Sequence, residues 1–383
     1  MMVTLLPNIV VILFLFLDVF HFFDVEHSKG EMKSSLKNPP DSDFFNEKTY
    51  QFISPEEKSL HLFGISSGSE IIELQNKSDN TIMKMQSDSG DSSSTMILLL
   101  EKDDKILIKN HEAPEKLSFL GTSLHSLKGF SGTASKEMGV KNIPQNIYMT
   151  EHNQDGTKYD NSTGCLNVDA DGVYLIGLTL SSNEASYASL QVGDISLGLG
   201  DDTPGQGMMS NSAVMKLKKD ECIIPQMEPL SQVHDGDKWS QLFVANIPEG
   251  DHFCYALSET LYNENETPTQ VNFDVDIFQN EHFESGIFSI KEKEFNPRRF
   301  YLILVNAFMA HGTLSLELGD DSDSGNWEVV GEVQVIPTDR RMVSVRKIVE
   351  MDNIKHMLKV QASGLMDEGD NHFATFCGIG IRS

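Results

Sequence analysis

Short apolar or alternating segments run through most of the chain, and residues that favour turns separate them. Segments 96–100, 173–178 and 300–305 are examples, each followed within a few positions by Gly, Asn, Asp or Ser. No long stretch has the periodicity of an amphipathic helix. Runs of this length, bounded in this way, are typical of strands in an all-β sandwich.

Segment 300–305, Phe-Tyr-Leu-Ile-Leu-Val, is apolar at every position. A strand with this pattern has both of its faces buried. In a small sandwich of two sheets, one face of each sheet normally meets solvent. We therefore expect a neighbouring domain or subunit to cover the second face of this strand.

Four landmark segments occur twice in the same order, which indicates internal repetition. They are 130–132 and 253–255, 159–164 and 282–286, 197–202 and 316–321, and 239–244 and 373–379. Segments 62–67 and 97–122 resemble the middle and last parts of these copies. The sequence thus predicts a truncated first repeat at 43–125, which lacks its first strands, and complete domains at 126–248 and 250–383.

The N-terminal region is strongly apolar. Nine consecutive apolar residues occupy positions 9–17 and Asp18 follows them. This run is too short to span a bilayer as a helix and has the length of the apolar region of a signal peptide. Residues 1–26 are predicted to be a signal peptide, and an uncleaved type II membrane anchor is the alternative.

The chain of 383 residues is strongly acidic, with 57 Asp and Glu against 30 Lys and Arg and a formal charge of −27. This balance excludes nucleic acid as a partner, because a phosphate backbone requires a basic surface. Two acidic segments are candidate calcium sites, since clustered carboxylates can bind this ion; the other interpretation is that they are solvated loops. Their residues are Asp201, Asp202, Asp320, Asp321 and Asp323. No other cofactor is expected.

Two further features are typical of the secretory pathway. The chain has four cysteines, which fit an oxidising compartment. Asn-x-Ser/Thr sequons, the acceptors of N-glycans, occur at Asn76, Asn161 and Asn265. We therefore expect a secreted, extracellular glycoprotein.

Segments of the last two copies resemble the complement C1q-like globular domain family, which is related in fold to tumour necrosis factor (TNF). The segments are 252–257, 271–275, 280–288 and 376–379 in the last copy, and 159–166 with 172–175 in the middle copy. The resemblance implies tandem jelly rolls, each with two five-stranded sheets and ten strands, that trimerise through an inner sheet. Three chains could supply this trimer, or three domains of one chain could form it. No Gly-x-y collagen stalk is present.

The resemblance also implies that the first and last strands of each domain are neighbours. Cys254 on the first strand and Cys377 on the last are therefore expected to form a disulfide, and Cys165 and Cys222 remain as a second pair within the middle copy. The implied function is a non-enzymatic recognition or adhesion protein whose surface loops bind protein or glycan ligands. The alternative is a TNF-like signalling ligand, anchored to the membrane if the N-terminal segment is not cleaved.

One segment matches a catalytic pattern. Residues 64–68, Gly-Ile-Ser-Ser-Gly, have the Gly-x-Ser-x-Gly spacing of a hydrolase nucleophile. That chemistry needs a turn from a strand into a helix, and no amphipathic helix follows here. We therefore expect the chain not to be an enzyme.

Overall fold

The computed structural model of the protein describes the chain in segments. Within them every regular element is a β-strand, and none is a helix long and apolar enough to cross a membrane. The described residues are 22–28, 31–34, 45–46, 51–55, 58–68, 72–76, 78, 80–85, 91–110, 117–124, 126, 128–135, 141–182, 184–202, 207–233, 240–263, 267–290, 299–320, 326–335, 340–351, 356–367 and 372–381.

The first domain consists of two antiparallel five-stranded sheets. Its inner sheet, the one that faces the other domains, has the order β2-β1-β10-β5-β8, and its outer sheet has the order β3-β4-β9-β6-β7. The strands are β1 (Phe22–Ser28), β2 (Glu31–Ser34), β3 (Phe45–Asn46), β4 (Gln51–Ile53), β5 (Lys58–Gly68), β6 (Ile72–Asn76), β7 (Thr81–Met85), β8 (Asp91–Glu101), β9 (Lys105–Asn110) and β10 (Leu117–Ser123).

The second domain repeats this plan. Its inner sheet has the order β13-β11-β21-β16-β19, and its outer sheet follows β14-β15-β20-β17-β18, with β12 also paired to β20. The strands are β11 (Gly129–Ala134), β12 (Gln145–Asn146), β13 (Met149–Asp155), β14 (Thr157–Asp160), β15 (Cys165–Val168), β16 (Gly172–Ser182), β17 (Ser186–Val192), β18 (Ile195–Asp201), β19 (Gly207–Leu217), β20 (Cys222–Met227) and β21 (Gln241–Ile247).

The third domain contains one strand of 22 residues, β28, that serves both sheets. The strands are β22 (His252–Ala256), β23 (Leu261–Asn263), β24 (Thr269–Gln270), β25 (Val275–Phe278), β26 (Phe283–Glu284), β27 (Ile287–Ser289), β28 (Arg299–Asp320), β29 (Trp327–Val335), β30 (Arg341–Met351), β31 (His356–Ala362), β32 (Gly364–Asp367) and β33 (Thr375–Ile381). The inner sheet follows β25-β22-β33-β28-β30, and the outer sheet follows β26-β27-β31-β28-β29. Between the two halves of β28, Gly312 has a φ of 106°, which favours glycine.

The same strand order in all three domains defines a series of jelly rolls, so the predicted all-β fold is confirmed. The predicted truncation of the first domain is wrong. Strand β1 pairs with β10, and β2 pairs with β1, which completes a five-stranded inner sheet. Residues 22–26 of β1 fall within the predicted signal peptide, since Phe22 and Phe23 extend the apolar character of the N-terminal region.

Most of the repeated landmarks occupy equivalent strands. Segments 130–132 and 253–255 lie in β11 and β22, the strands next to the last strand of each inner sheet. The landmark at 197–202 and 316–321 is an exception. Its first copy lies in the outer-sheet edge strand β18, whereas its second copy lies in β28, one strand further in. The shared Leu-x-Leu-Gly-Asp-Asp letters match two different strands.

The doubly apolar segment 300–305 is buried on both faces, as predicted. Tyr301, Ile303 and Val305 belong to the core between the sheets of the third domain. Leu302 and Leu304 belong to a second core cluster, which also contains residues of the first and second domains. Another domain of the same chain therefore covers the second face of β28.

Both predicted disulfides are confirmed. Cys254 in β22 lies directly opposite Cys377 in β33 and is bonded to it. Cys165 in β15 is bonded to Cys222 in the neighbouring strand β20. Each bond thus links paired strands within one domain: the inner sheet of the third domain and the outer sheet of the second.

Candidate functional site

The inner sheets of the three domains pack against one another. Edge strand β8 of the first domain contacts β16 and β21 of the second. Edge strand β19 of the second contacts β22, β25 and β33 of the third, and β30 of the third contacts β1 and β10 of the first. Because each edge strand packs on the sheet of the next domain, the contacts close into a ring with approximate threefold symmetry. We call the region where β8, β19 and β30 meet the central seam.

The seam has an extensive apolar part. One core cluster combines Leu62 and Ile97 of the first domain, Leu178 of the second, and Leu304 and Ile348 of the third. All five side chains are at most 3% exposed. Apolar area removed from water stabilises an interface by about 25 cal/mol per Å², so this cluster favours a fixed arrangement of the three domains.

A buried polar network joins the second and third domains within the seam. Asn306 donates from Nδ2 to Ser212 Oγ at 3.3 Å and accepts at Oδ1 a bond of 2.8 Å from Ser344 Oγ. Thr375 Oγ1 donates to Asn211 Oδ1 at 3.1 Å. Buried polar groups that are satisfied across a contact specify a single arrangement of the partners.

The first domain contributes a buried carboxylate to the third. Asp24 in β1 is fully buried, and its Oδ2 accepts a bond of 3.1 Å from the backbone N–H of Ile348. Its Oδ1 lies 3.7 Å from Nζ of Lys347, a side chain that is 7% exposed. Removing one partner of a buried ion pair leaves an uncompensated charge, which costs several kcal/mol. Sequence analysis missed Asp24 because it lies within residues 1–26, the segment predicted to be a signal peptide.

The first predicted calcium segment also lies at a domain contact. Asp201 is buried at the end of β18, and its backbone pairs with Arg341 of the third domain. The backbone N–H of Asp202 donates to the Arg340 carbonyl at 2.7 Å. The Asp202 carboxylate accepts a hydrogen bond from the Tyr187 hydroxyl. Burial, and then this bond, raise the pKa of Tyr187.

The second predicted calcium segment is only partly described. Asp320 is the last residue of β28, whereas Asp321 and Asp323 lie outside the described residues. Among the residues that the structure describes, no group of three or more His, Cys, Asp or Glu side chains could hold a metal ion. Calcium binding therefore stays a prediction.

The sequons differ in their surroundings. Asn161 lies in the exposed turn after β14. Asn76 is partly buried at the end of β6, and its Oδ1 accepts from the backbone N–H groups of Ser78 and Asn80 at 3.0 and 3.1 Å. Asn265 lies outside the described residues. Of the two acceptors that the structure describes, Asn161 is the more accessible.

A cleft of about 590 Å³ opens at one end of the third domain. Its central group is Asp251, which accepts bonds from the Tyr301 hydroxyl at 2.5 Å and Asn280 Nδ2 at 2.6 Å, and which forms an ion pair with Arg299 at 3.3 Å. Burial raises the pKa of Tyr301, and so does the charge on Asp251. Because these groups satisfy one another's hydrogen bonds and charge, they are better explained as contacts that stabilise the third domain than as a ligand site.

Residues 64–68, which match the hydrolase pattern, do not form a turn from a strand into a helix. Ser66 lies inside β5, which runs unbroken from Lys58 to Gly68 and pairs with β8 and β10 along its length. A nucleophilic serine of that class sits on a sharp turn from a strand into a helix. The segment therefore lacks the backbone geometry that the motif requires.

No protein-family model matches the sequence, and no curated protein matches it either. Similar solved structures include murine APRIL at 8% identity, covering 31% of this chain and 98% of that chain with a TM-score of 0.26. Eiger TNF from S. frugiperda has 12% identity, and the match covers 32% of this chain and 94% of that chain with a TM-score of 0.27. An archaeal virus turret protein described as a triple jelly roll has 11% identity, and the match covers 94% of this chain and 89% of that chain with a TM-score of 0.20. These likenesses are remote; the order of the strands in the structure itself defines the fold as a series of jelly rolls.

Proposed function

We propose that this chain is a secreted, non-enzymatic recognition or adhesion protein that builds a three-domain assembly from a single polypeptide. The observation that carries the proposal is the closed ring of contacts in which β8, β19 and β30 each pack on the inner sheet of the next domain. Three separate chains are then not needed to cover the inner sheets.

The disulfide bonds and an accessible glycosylation sequon support an extracellular location. All four cysteines are paired, and such bonds persist in oxidising compartments. The exposed turn at Asn161 is accessible to glycosylation. The formal charge of −27 keeps such a protein soluble and apart from anionic surfaces.

The assembly also determines which surfaces remain for ligands. The inner sheets are occupied by the seam, so the outer sheets and the connecting loops are left for a protein or glycan ligand. Because the three domains differ in sequence, one chain presents three different surfaces rather than three equal ones. This favours recognition of individual ligands over the clustering of identical receptors.

The mass of the folded protein in solution tests the assembly. The full chain should be expressed in a secretory host and measured by light scattering across a wide concentration range. We expect the mass of one chain, which is at most 42.7 kDa before any glycan and is lower by the mass of any leader that is cleaved. A mass of three chains at all concentrations would show that the seam forms between chains and would overturn the proposal.

Binding to cell surfaces tests recognition itself. The labelled protein is added to intact cells before and after enzymatic removal of their glycans or surface proteins, with calcium or with a chelator. We expect saturable binding that one of the two treatments abolishes. If none of the cell types tested binds the protein saturably, the result would count against a recognition role.

A membrane-anchored signalling ligand is the second candidate, and the position of Asp24 favours it. Cleavage after residue 26 would remove this buried carboxylate and most of β1. Only residues 18–21 separate the apolar run at 9–17 from the first strand of the fold. N-terminal sequencing separates the two: a secreted form should begin at or before Phe22, and an anchored form stays in the membrane fraction with residues 1–21 intact.

A further inference from the structure

One arginine extends across the central seam. Arg346 lies in the middle of β30 and is only 4% exposed. Its Cδ comes within 3.0 Å of where a Cβ on Gly64 of the first domain would lie, and its Nη2 donates to Ser210 Oγ of the second domain at 3.4 Å. The side chain of this residue of the third domain thus lies against Gly64 of the first domain through its aliphatic part and against Ser210 of the second domain through its guanidinium.

The charge of this guanidinium has no protein counterpart among the described residues. Nε and Nη1 of Arg346 are buried and have no hydrogen-bond partner. Burial alone lowers the pKa of this side chain to about 9, and no carboxylate raises it. The buried lysines of the same domain differ, since Lys347 pairs with Asp24 and Lys359 lies 3.2 Å from Glu317. An isolated buried cation is strongly unfavourable without compensation.

The hydrogen-bond partner of Arg346 is a hydroxyl rather than a carboxylate, and this hydroxyl lies close to another one. Ser210 Oγ lies 3.0 Å from Thr179 Oγ1, which also lies 3.3 Å from the Thr95 carbonyl. The Thr95 hydroxyl is itself buried and has no partner in the described part of the chain. Thr95 pairs in the sheet with Gly64, the residue over which the arginine passes. Hydroxyls and a guanidinium all supply N–H or O–H donors.

We propose that Arg346 holds a small inorganic anion of the halide type at the point where the three domains meet. The anion neutralises the guanidinium and accepts hydrogen bonds from Nε and Nη1, with the Thr95 hydroxyl as a further donor. Its binding would require all three domains in place and would therefore stabilise the single-chain assembly rather than any one domain.

Bromide provides a direct probe, because it substitutes for chloride and scatters anomalously. Crystals of the full chain are grown in sodium bromide, and data are collected at the bromine absorption edge. We expect an anomalous peak within hydrogen-bond distance of Arg346 Nε or Nη1. Density that scatters as water at this position, with no anomalous signal, would overturn the proposal.

Thermal unfolding provides a second measurement, in sodium chloride against sodium gluconate at equal ionic strength. An anion that binds only the folded chain should raise Tm by about 2 °C for each tenfold rise in chloride above its dissociation constant, if the three domains unfold together. Arg346→Met should remove this dependence. The control Arg340→Met, which changes a side chain that is 47% exposed, should retain it.

Two results of the thermal unfolding experiment would refute the proposal. One is an equal dependence of Tm on chloride in the wild-type chain and in Arg346→Met, and the other is a wild-type Tm that does not respond to chloride at all. If Arg346→Met does not fold, the bromide experiment on the wild-type chain decides alone.

Discussion

Leu304 provides a direct test of whether the three domains pack together, because it lies on the seam-facing side of β28. Its neighbour Ile303 points to the opposite face, into the core of the third domain itself. Both side chains are fully buried. If the domains were independent, Leu304 would be exposed to solvent and Ile303 would not.

The expected magnitude follows from the atoms removed. Leu304→Ala deletes three buried carbons, each contributing about 0.8 kcal/mol, and the cavity left behind brings the cost to about 3 kcal/mol. Unfolding all 383 residues together has an entropy near 0.8 kcal/mol per kelvin, so this loss lowers Tm by about 4 °C. In a separate domain of a third of that length, the same loss would lower Tm by about 11 °C.

The assay compares three variants by calorimetry and by urea unfolding of the full chain. Leu304→Ala and Ile303→Ala should destabilise the protein by similar amounts, whereas Leu230→Ala should have almost no effect because Leu230 is 64% exposed. A Leu304→Ala protein with the stability of the wild type, alongside a destabilised Ile303→Ala, would refute the packing of the domains.

Three other changes test separate contacts. Gly64→Ala would place a Cβ 3.0 Å from the Arg346 side chain and 3.1 Å from another side chain, and we expect a loss of about 1–3 kcal/mol in urea unfolding; an unchanged midpoint would contradict this close approach. Replacing both cysteines of the third-domain disulfide by alanine should cost about 2–5 kcal/mol in guanidinium unfolding, and no cost would mean that the bond does not form in the native protein. A hydrogen bond from Lys84 lowers the pKa of Glu73 from 4.5 to about 2, so the ionised carboxylate stabilises the folded state above pH 4.5 and this contribution is lost as the pH falls toward 2. The difference in Tm between the wild type and Glu73→Gln should shrink over that range, and a constant difference would contradict the shift.

The pattern of the chain alone determined much of the architecture. Alternating and short apolar runs predicted strands, and the fully apolar segment 300–305 correctly predicted a covered second face. These inferences succeed because the local pattern of apolar and polar side chains along a strand indicates which of its faces are buried. The disulfide between Cys254 and Cys377 followed from the family resemblance, since it depends on which strands are neighbours.

Other features depended on contacts between distant parts of the chain. The acidic pair at Asp201 and Asp202 has the composition of a solvated loop, yet one carboxylate is buried and the backbone pairs with the third domain. Asp24 lies in a segment whose apolarity suited a leader equally well, and its partner Lys347 is far away in sequence. A local pattern reports that a residue is polar, but not what lies across from it.

Arg346 shows most clearly the difference between what the sequence determines and what the tertiary structure determines. The sequence determined that a basic residue stands in the middle of β30, a strand in which apolar and charged residues are mixed. Only the tertiary structure decided that this residue is buried against Gly64 and Ser210, which belong to two other domains. The physical reason is that desolvation and pairing of a charge depend on every group packed around it, and here those groups come from strands separated by more than a hundred residues.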